Sequence, residues 1–206
     1  MNRLLIALPL LLVANAGTAA GSDIAKAIVE EKCHLCHGTE GEASSAIYPR
    51  LAGQNKEYLV KQLKNFRDGI RKSDTMNEMA KELTDEQIEA LADYFSSKPA
   101  RTHRVRDKAL AAVGYYIFHK GNRFSGIPAC KTCHGDYGEG TEKLPRLAGQ
   151  HKRYVADQLR AFNERVRTND NAVMHTIASK LTELEIEAVA LYVSGLKEKK
   201  PEKAIQ

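Results

Sequence analysis

Two short motifs contain every cysteine of the 206-residue chain. The first occupies residues 33–37 with the sequence CHLCH, and the second occupies residues 130–134 with the sequence CKTCH. In the Cys-x-x-Cys-His arrangement the two thiols add to the two vinyl groups of one haem, and the following imidazole is placed against the iron. The motifs therefore predict two covalently bound haems of type c. The predicted attachment points are Cys33, Cys36, Cys130 and Cys133.

Three other interpretations compete with haem attachment: a zinc site, a redox-active dithiol and a structural disulfide. The two pairs of cysteines could supply the four ligands of a zinc ion, but the histidine directly after each pair would then be a coincidence. A thioredoxin-like dithiol would explain neither the histidines nor the duplication. Haem attachment accounts for both motifs, and it predicts His37 and His134 as iron ligands.

The chain repeats itself well beyond the haem motifs. The sequence PRLAGQ at residues 49–54 recurs at residues 145–150, and further matches follow at an offset of 96 to 98 residues. A repeat of this length indicates two equivalent domains, not a solenoid of short units. Apolar residues recur with helical spacing in both halves, with no sustained alternation typical of strands. The fold class is therefore predicted to be all-α, with the capping boxes Thr84/Gln87 and Thr182/Glu185 starting the closing helices.

The amino terminus predicts export. Residues 1–20 contain Arg3, an apolar stretch over residues 4–13 and then small residues, which is typical of a cleaved secretory signal. No later segment approaches the length needed to span a bilayer. We therefore expect a periplasmic protein with at most peripheral membrane association. The predicted domains are residues 21–97 and 107–206, joined by a linker at residues 98–106 in which Pro99 discourages helix continuation.

The second axial ligand of each iron decides between an electron carrier and an enzyme. Met76 lies seven residues before Leu83 and Met174 lies seven before Leu181, so the repeat register pairs these two methionines. We predict both as iron ligands and Met79 as an apolar contact. A thioether is soft and neutral, and it raises the reduction potential relative to a second histidine. His175 adjoins Met174, but the first repeat has Asn77 there, so a common role is not expected.

Charge differs between the halves. Residues 21–100 contain 11 Lys or Arg against 14 Asp or Glu, net −3, whereas residues 101–206 contain 19 against 12, net +7. The electric field of two oppositely charged halves can orient an encounter with a charged redox partner. Ordinary solvated surfaces and a basic tail explain the two net charges equally well. No aromatic residues interleave with a basic stripe, which argues against a nucleic-acid partner.

Segment 126–135, with the sequence GIPACKTCHG, and the doubled PRLAGQ resemble the dihaem cytochrome c4 family, and the resemblance covers essentially the whole mature chain. It implies two tandem class I cytochrome c domains packed about a pseudo-twofold axis, with their haems facing each other. It also implies a carrier that delivers electrons from a quinol-oxidising complex of the cytochrome bc1 type to a terminal oxidase. The same resemblance implies that Pro49 and Pro145 orient the proximal imidazoles. The arginines that follow them, Arg50 and Arg146, are candidates to pair with haem propionates.

Two other functional classes remain open at this point. Similar dihaem chains serve as the cytochrome subunit of a flavoprotein sulfide dehydrogenase, so a bound flavoprotein is the alternative partner. A dihaem redox enzyme would need an open or unusually ligated iron, whereas this chain offers two candidate methionine ligands and no fifth cysteine. We therefore expect an electron carrier, not an enzyme.

Overall fold

The computed structural model describes the backbone of residues 16–197 and the side chains of residues 21–197. Residues 1–15 and 198–206 lie outside the described backbone. They contain most of the predicted signal segment and all but one lysine of the basic tail. The described residues form ten α-helices, one π-helical turn and a single isolated β-bridge. The all-α prediction is confirmed. No helix within residues 16–197 is long and apolar enough to cross a membrane.

The first half begins with helix α1, Ala16–Ile28, which continues into a π-helical turn at Val29–Cys33 and then into the one-turn helix α2, His34–His37. A middle helix α3 covers Lys56–Arg67, a short helix α4 covers Asp74–Ala80, and the closing helix α5 covers Asp85–Ser96.

The second half repeats this order. Helix α6 covers Lys108–Lys120, and after a loop the one-turn helix α7 covers Lys131–His134. The middle helix α8, the short helix α9 and the closing helix α10 follow at Lys152–Asn163, Val173–Ala178 and Glu183–Gly195. In both halves the first and the middle helix pack against the closing helix.

Each half has its own apolar core. The first contains Leu59, Phe66 and Phe95, and the second contains Val155, Leu159 and Phe162, so the predicted helical stripes are buried as expected. Both predicted capping boxes are also present, at Thr84 and at Thr182. Each capping box fixes the residue at which a closing helix begins. It thereby fixes which residues of that helix turn their apolar face towards the core.

Residues 97–107 connect α5 to α6 without helical structure. This segment contains the predicted linker and Pro99. It is held against the second half, since the backbone N–H of His103 donates to the carbonyl of Ser194 at 2.9 Å. The exact domain limits stay a prediction.

The halves meet through the glutamines that end the repeated PRLAGQ segment. Gln54 Oε1 accepts from the backbone N–H of Arg146 at 2.7 Å, and Gln54 Nε2 donates to the Arg146 carbonyl at 3.1 Å. Gln150 makes the same two hydrogen bonds with the backbone of Arg50, at 2.9 and 3.0 Å. This reciprocal pairing is what a pseudo-twofold axis between two equivalent domains requires.

Candidate haem sites

Each motif folds into a single helical turn that ends on its histidine. Cys33 packs against the first core and Cys130 against the second, so the two motifs belong to separate sites. Burial raises the pKa of both thiols to about 11. The four cysteines form no disulfide with one another. These raised pKa values make the thiols of Cys33 and Cys130 unlike the low-pKa nucleophile of a thioredoxin-like dithiol.

The two imidazoles are almost fully buried and identically oriented. His37 Nδ1 donates to the Pro49 carbonyl at 3.0 Å, and His134 Nδ1 donates to the Pro145 carbonyl at 3.2 Å. Because a carbonyl only accepts, this bond fixes the proton on Nδ1 and leaves Nε2 as the nitrogen for a metal. Burial lowers the pKa of both imidazoles, which keeps them neutral near pH 7. The orientation by prolines, which the family resemblance implied, is present in both halves.

The turn after each motif requires glycine. Gly38 has φ +76° and Gly135 has φ +82°, in the left-handed region, and a Cβ at either position would lie 2.4 Å or less from a glutamate carboxyl group. The turn brings the chain back onto the histidine, whose carbonyl accepts the backbone N–H of Ala43 at 2.8 Å or of Gly140 at 2.7 Å. The same loop geometry therefore presents both imidazoles.

The two predicted methionine ligands lie on equivalent short helices. Met76 is in α4, and its backbone N–H donates to Ser73 Oγ at 3.3 Å. Met174 is in α9, and its backbone N–H donates to Asp170 Oδ2 at 2.5 Å. Both side chains are partly buried and pack against the core of their own half. Met79, predicted as an apolar contact, is 42% exposed.

His175 and Asn77 do have a common role, contrary to the sequence-based expectation. Asn77 Nδ2 donates to the Phe66 carbonyl at 2.5 Å, and His175 Nδ1 donates to the equivalent Phe162 carbonyl at 2.9 Å. Each side chain thus ties the methionine helix to the end of the middle helix. An amide and an imidazole can both donate this bond, so a difference in residue type hid a shared function.

Arg50 lies at the domain interface, where its donors are directed at backbone carbonyls. Its Nε donates to Glu42, and its Nη1 donates to Gly149 and Arg101 at 2.8 and 3.2 Å. Arg50 is partly buried, whereas Arg146 is buried. The contacts of Arg50 give it a role in joining the halves that its place in the repeat did not reveal.

The remaining four histidines make hydrogen bonds away from the two motif imidazoles. His151 is 4% exposed, and its Nε2 donates to the Ala43 carbonyl of the first half at 2.7 Å. His103 Nε2 then donates to His151 Nδ1 at 3.0 Å. His34 is partly buried, and its Nδ1 lies 3.2 Å from the Val29 carbonyl. His119 Nε2 pairs with the Tyr192 hydroxyl at 2.8 Å.

These donors fit a haem in each half. Two thiols and one neutral imidazole stand on one helical turn, and a methionine stands on a separate short helix of the same half. Nowhere in residues 21–197 do three His, Cys, Asp or Glu side chains gather to hold a metal ion, so the zinc interpretation has no ligand set. Cysteine, histidine and methionine in this arrangement are the residues with which proteins attach and ligate haem.

Comparison with known proteins agrees with this geometry. Residues 21–95 match the family model described as cytochrome C oxidase, cbb3-type, subunit III, and residues 111–197 match the model described as cytochrome c. A cytochrome c4 of Pseudomonas aeruginosa is 39% identical, over 95% of this chain and 100% of that protein. A thiosulfate dehydrogenase electron acceptor of Thiomonas intermedia is 39% identical, over 79% of this chain and 77% of its own.

The fold is equally close to a solved structure. The crystal structure of reduced recombinant cytochrome c4 from Pseudomonas stutzeri has a TM-score of 0.81 at 36% identity, and the match covers 85% of this chain and 98% of that chain. Two tandem cytochrome c domains, the doubled motif and relatives of nearly equal length lead to one assignment. The chain belongs to the dihaem cytochrome c4 family, whose members carry electrons on two covalently bound c-type haems.

Proposed function

We propose that each half ligates its haem iron with one histidine and one methionine, and that the protein carries electrons in the periplasm. The proposed pairs are His37 with Met76, and His134 with Met174. The observation that carries this proposal is the repeated histidine-to-proline hydrogen bond, combined in both halves with a partly buried methionine at the matching position. The four motif cysteines are the proposed covalent attachment points.

Ligation on both sides favours electron transfer over catalysis. His37 with Met76, and His134 with Met174, would hold the two irons, and haems held by these residues would supply one-electron transfer. The chain contributes a neutral, oriented imidazole and a soft thioether, which stabilises ferrous iron. With a histidine and a methionine on each iron, a small molecule such as peroxide would first have to displace one of these ligands.

We further propose the direction of flow, from a quinol-oxidising complex of the cytochrome bc1 type to a terminal oxidase. The support is the family membership and the predicted signal segment, residues 1–20. A second donor has specific support as well, because the relative from Thiomonas intermedia is named as an electron acceptor of thiosulfate dehydrogenase. The rate at which each donor complex reduces the oxidised protein distinguishes the two donors. The rate at which oxidase-containing membranes oxidise the reduced protein tests the proposed acceptor.

The ligation proposal is tested by the long-wavelength charge-transfer band between ferric iron and thioether sulfur. Met76→Leu and Met174→Leu keep the side-chain volume but remove the sulfur. Each variant should lose about half of the band, and the double variant should lose all of it. Met79→Leu is the matched control and should keep the full band. A Met76→Leu or Met174→Leu protein with full intensity would show that another residue binds that iron.

A further inference from the structure

Tyr94 and Tyr192 occupy equivalent positions in the closing helices α5 and α10, 98 residues apart. The Tyr94 hydroxyl donates to the Thr39 carbonyl at 3.0 Å. The Tyr192 hydroxyl instead lies 2.8 Å from Nε2 of His119 in α6. A peptide carbonyl is too weak a base to take a proton near pH 7, whereas a neutral imidazole can take one. The repeated tyrosine therefore has a carbonyl partner in the first half and a basic partner in the second.

The surroundings of the second pair favour the neutral form of both groups. Burial and then the charge of Lys131 lower the pKa of His119, Asp136 raises it, and Lys120 lowers it by the least. Burial raises the pKa of the Tyr192 phenol. Near pH 7 the phenol therefore holds its proton while the imidazole has a free nitrogen. With the imidazole proton on Nδ1, the phenol donates its hydrogen bond to Nε2.

The pair belongs to a cluster of aromatic rings that reaches the surface. The ring centres of Tyr115 lie 4.5 Å from that of His119 and 5.7 Å from that of Tyr192. The buried ring of Phe118 lies 5.0 and 5.6 Å from the same two rings. Tyr115 is 50% exposed. Tyr192 packs against the second core, as does Cys130. The cluster thus joins solvent to the core that holds a predicted haem attachment point.

The ring of Tyr94 has different neighbours. It meets Phe95 edge to face, with the ring centres 5.3 Å apart, and the Lys98 ammonium lies 4.1 Å from its centre. A cation over the ring opposes the loss of an electron, because removal of the electron would place two positive charges side by side. The first half therefore supplies a tyrosine at the same position that is poorly placed for oxidation.

We propose that Tyr192 and His119 form a redox-active pair that gives one electron to a strong oxidant of the class of oxygen-derived radicals, such as a peroxyl radical. In this step the phenolic O–H bond of Tyr192 breaks, one electron passes to the oxidant, and the proton forms an N–H bond at His119 Nε2. The products are a neutral tyrosyl radical, an imidazolium and a peroxyl anion, which takes a proton from water to become a hydroperoxide. The half-exposed ring of Tyr115 lets the oxidant approach the pair.

The protein's own electrons can restore the phenol. Members of this family carry electrons on two haems, and Tyr192 packs against the core of one haem domain. An electron from the reduced protein and the proton held by His119 return the radical to tyrosine. The inference goes beyond the proposed function and does not depend on methionine ligation. The thioether band therefore reports separately on the proposed function.

The test starts from the oxidised dihaem protein, so that the irons do not compete as electron donors. Flash-generated tris(bipyridine)ruthenium(III) is the one-electron oxidant, and freeze-quench EPR follows the tyrosyl radical. Tyr192→Phe should remove most of the radical that forms first, whereas the matched control Tyr94→Phe should leave it unchanged. His119→Gln keeps a hydrogen-bond acceptor without a base. Radical formation should then slow by about 100-fold or more, the effect expected when a general base is lost.

Two further measurements separate a base from a packing residue. Imidazole buffer should restore much of the rate in His119→Gln and leave the wild-type rate unchanged. In the wild type the rate should be constant near pH 7 and above, and it should fall below about pH 6.5, because a protonated imidazole has no free nitrogen. A nitroso spin trap followed by peptide mass spectrometry should place the first adducts on Tyr192 and Tyr115 among the eight tyrosines.

A full wild-type radical yield in Tyr192→Phe would overturn the redox-active pair. A wild-type rate in His119→Gln would overturn the role of the histidine as the base. If the glutamine variant does not fold, the wild-type pH profile decides, and an equal rate at pH 7 and pH 5 contradicts the proposal.

Discussion

The two halves build the same site from different approaches. In the first half, α1 continues through a π-helical turn directly into the haem motif. In the second, α6 ends at Lys120 and is capped by Gly121, and a loop closed by two backbone hydrogen bonds between Asn122 and Ile127, at 2.8 and 2.9 Å, precedes the motif. Downstream of the motif the hydrogen bonds are nearly identical. The histidine geometry therefore depends on the turn and the proline that follow the motif, whereas the approach to it is free to vary.

The interface is the strictest test of this equivalence. Gln54→Ala and Gln150→Ala each remove a side chain that satisfies both backbone groups of an arginine in the opposite half. Since an unsatisfied buried backbone group costs about 1–3 kcal/mol, each variant should lose about 2–5 kcal/mol of unfolding free energy. Urea unfolding of the two variants and of the wild type, each with both haems bound, measures this loss. If the pseudo-twofold holds, the two losses are similar.

A large loss in one glutamine variant and almost none in the other would contradict the equivalence of the two contacts. Glu57→Ala, at an exposed position in α3, is a suitable control and should change the stability little.

The first helices of the two halves differ in how closely a glycine is packed. In the first half, nothing lies within 4 Å of a Cβ placed at Gly21 in α1. In the second half, a Cβ at Gly114 in α6 would lie 2.1 Å from the Ala188 carbonyl in α10. Gly114→Ala should therefore destabilise the protein by about 1–3 kcal/mol through overpacking. Glycine to alanine in an open helix instead stabilises by about 0.5–1 kcal/mol. Thermal or urea unfolding measures the sign of the change.

Ala112→Gly on the exposed face of the same helix is the matched comparison and should lose about 1 kcal/mol through helix propensity alone. A Gly114→Ala protein as stable as the wild type would mean that α6 and α10 can separate at little cost.

The sequence predicted the parts of the fold that depend on local pattern. Helical spacing, the capping residues Thr84 and Thr182, and the haem motifs each carry their signal within one element. The role of His151 depends on the Ala43 carbonyl, 108 residues away, which no local pattern records. The repeated arginines, Arg71 and Arg167, were visible as a match at an offset of 96 residues. That both are buried and share the acceptors Gln62 and Gln158 became evident only in the fold.

The smallest expected effect concerns Asn55 and His151, which occupy equivalent positions in the two halves. Asn55 Nδ2 donates to carbonyls of the second half, among them Thr141 at 2.7 Å, and His151 donates to Ala43 of the first. Only the histidine titrates. Burial lowers the pKa of His151, and burial together with the charge of Arg50 lowers the pKa of His103 to about 4. Both imidazoles are therefore neutral in the folded protein near pH 7.

Because these pKa values are lower in the folded than in the unfolded chain, their stabilisation is complete above about pH 6.5 and is lost as the pH falls towards 4. Urea midpoints at pH 7 and pH 5 should consequently differ in the wild type. His151→Asn introduces the amide of the first half and should reduce this difference, as should His103→Gln. A wild-type urea midpoint that is the same at both pH values would show that protonation of His103 and His151 does not lower the stability. An undiminished difference in both variants would assign the pH dependence to other groups.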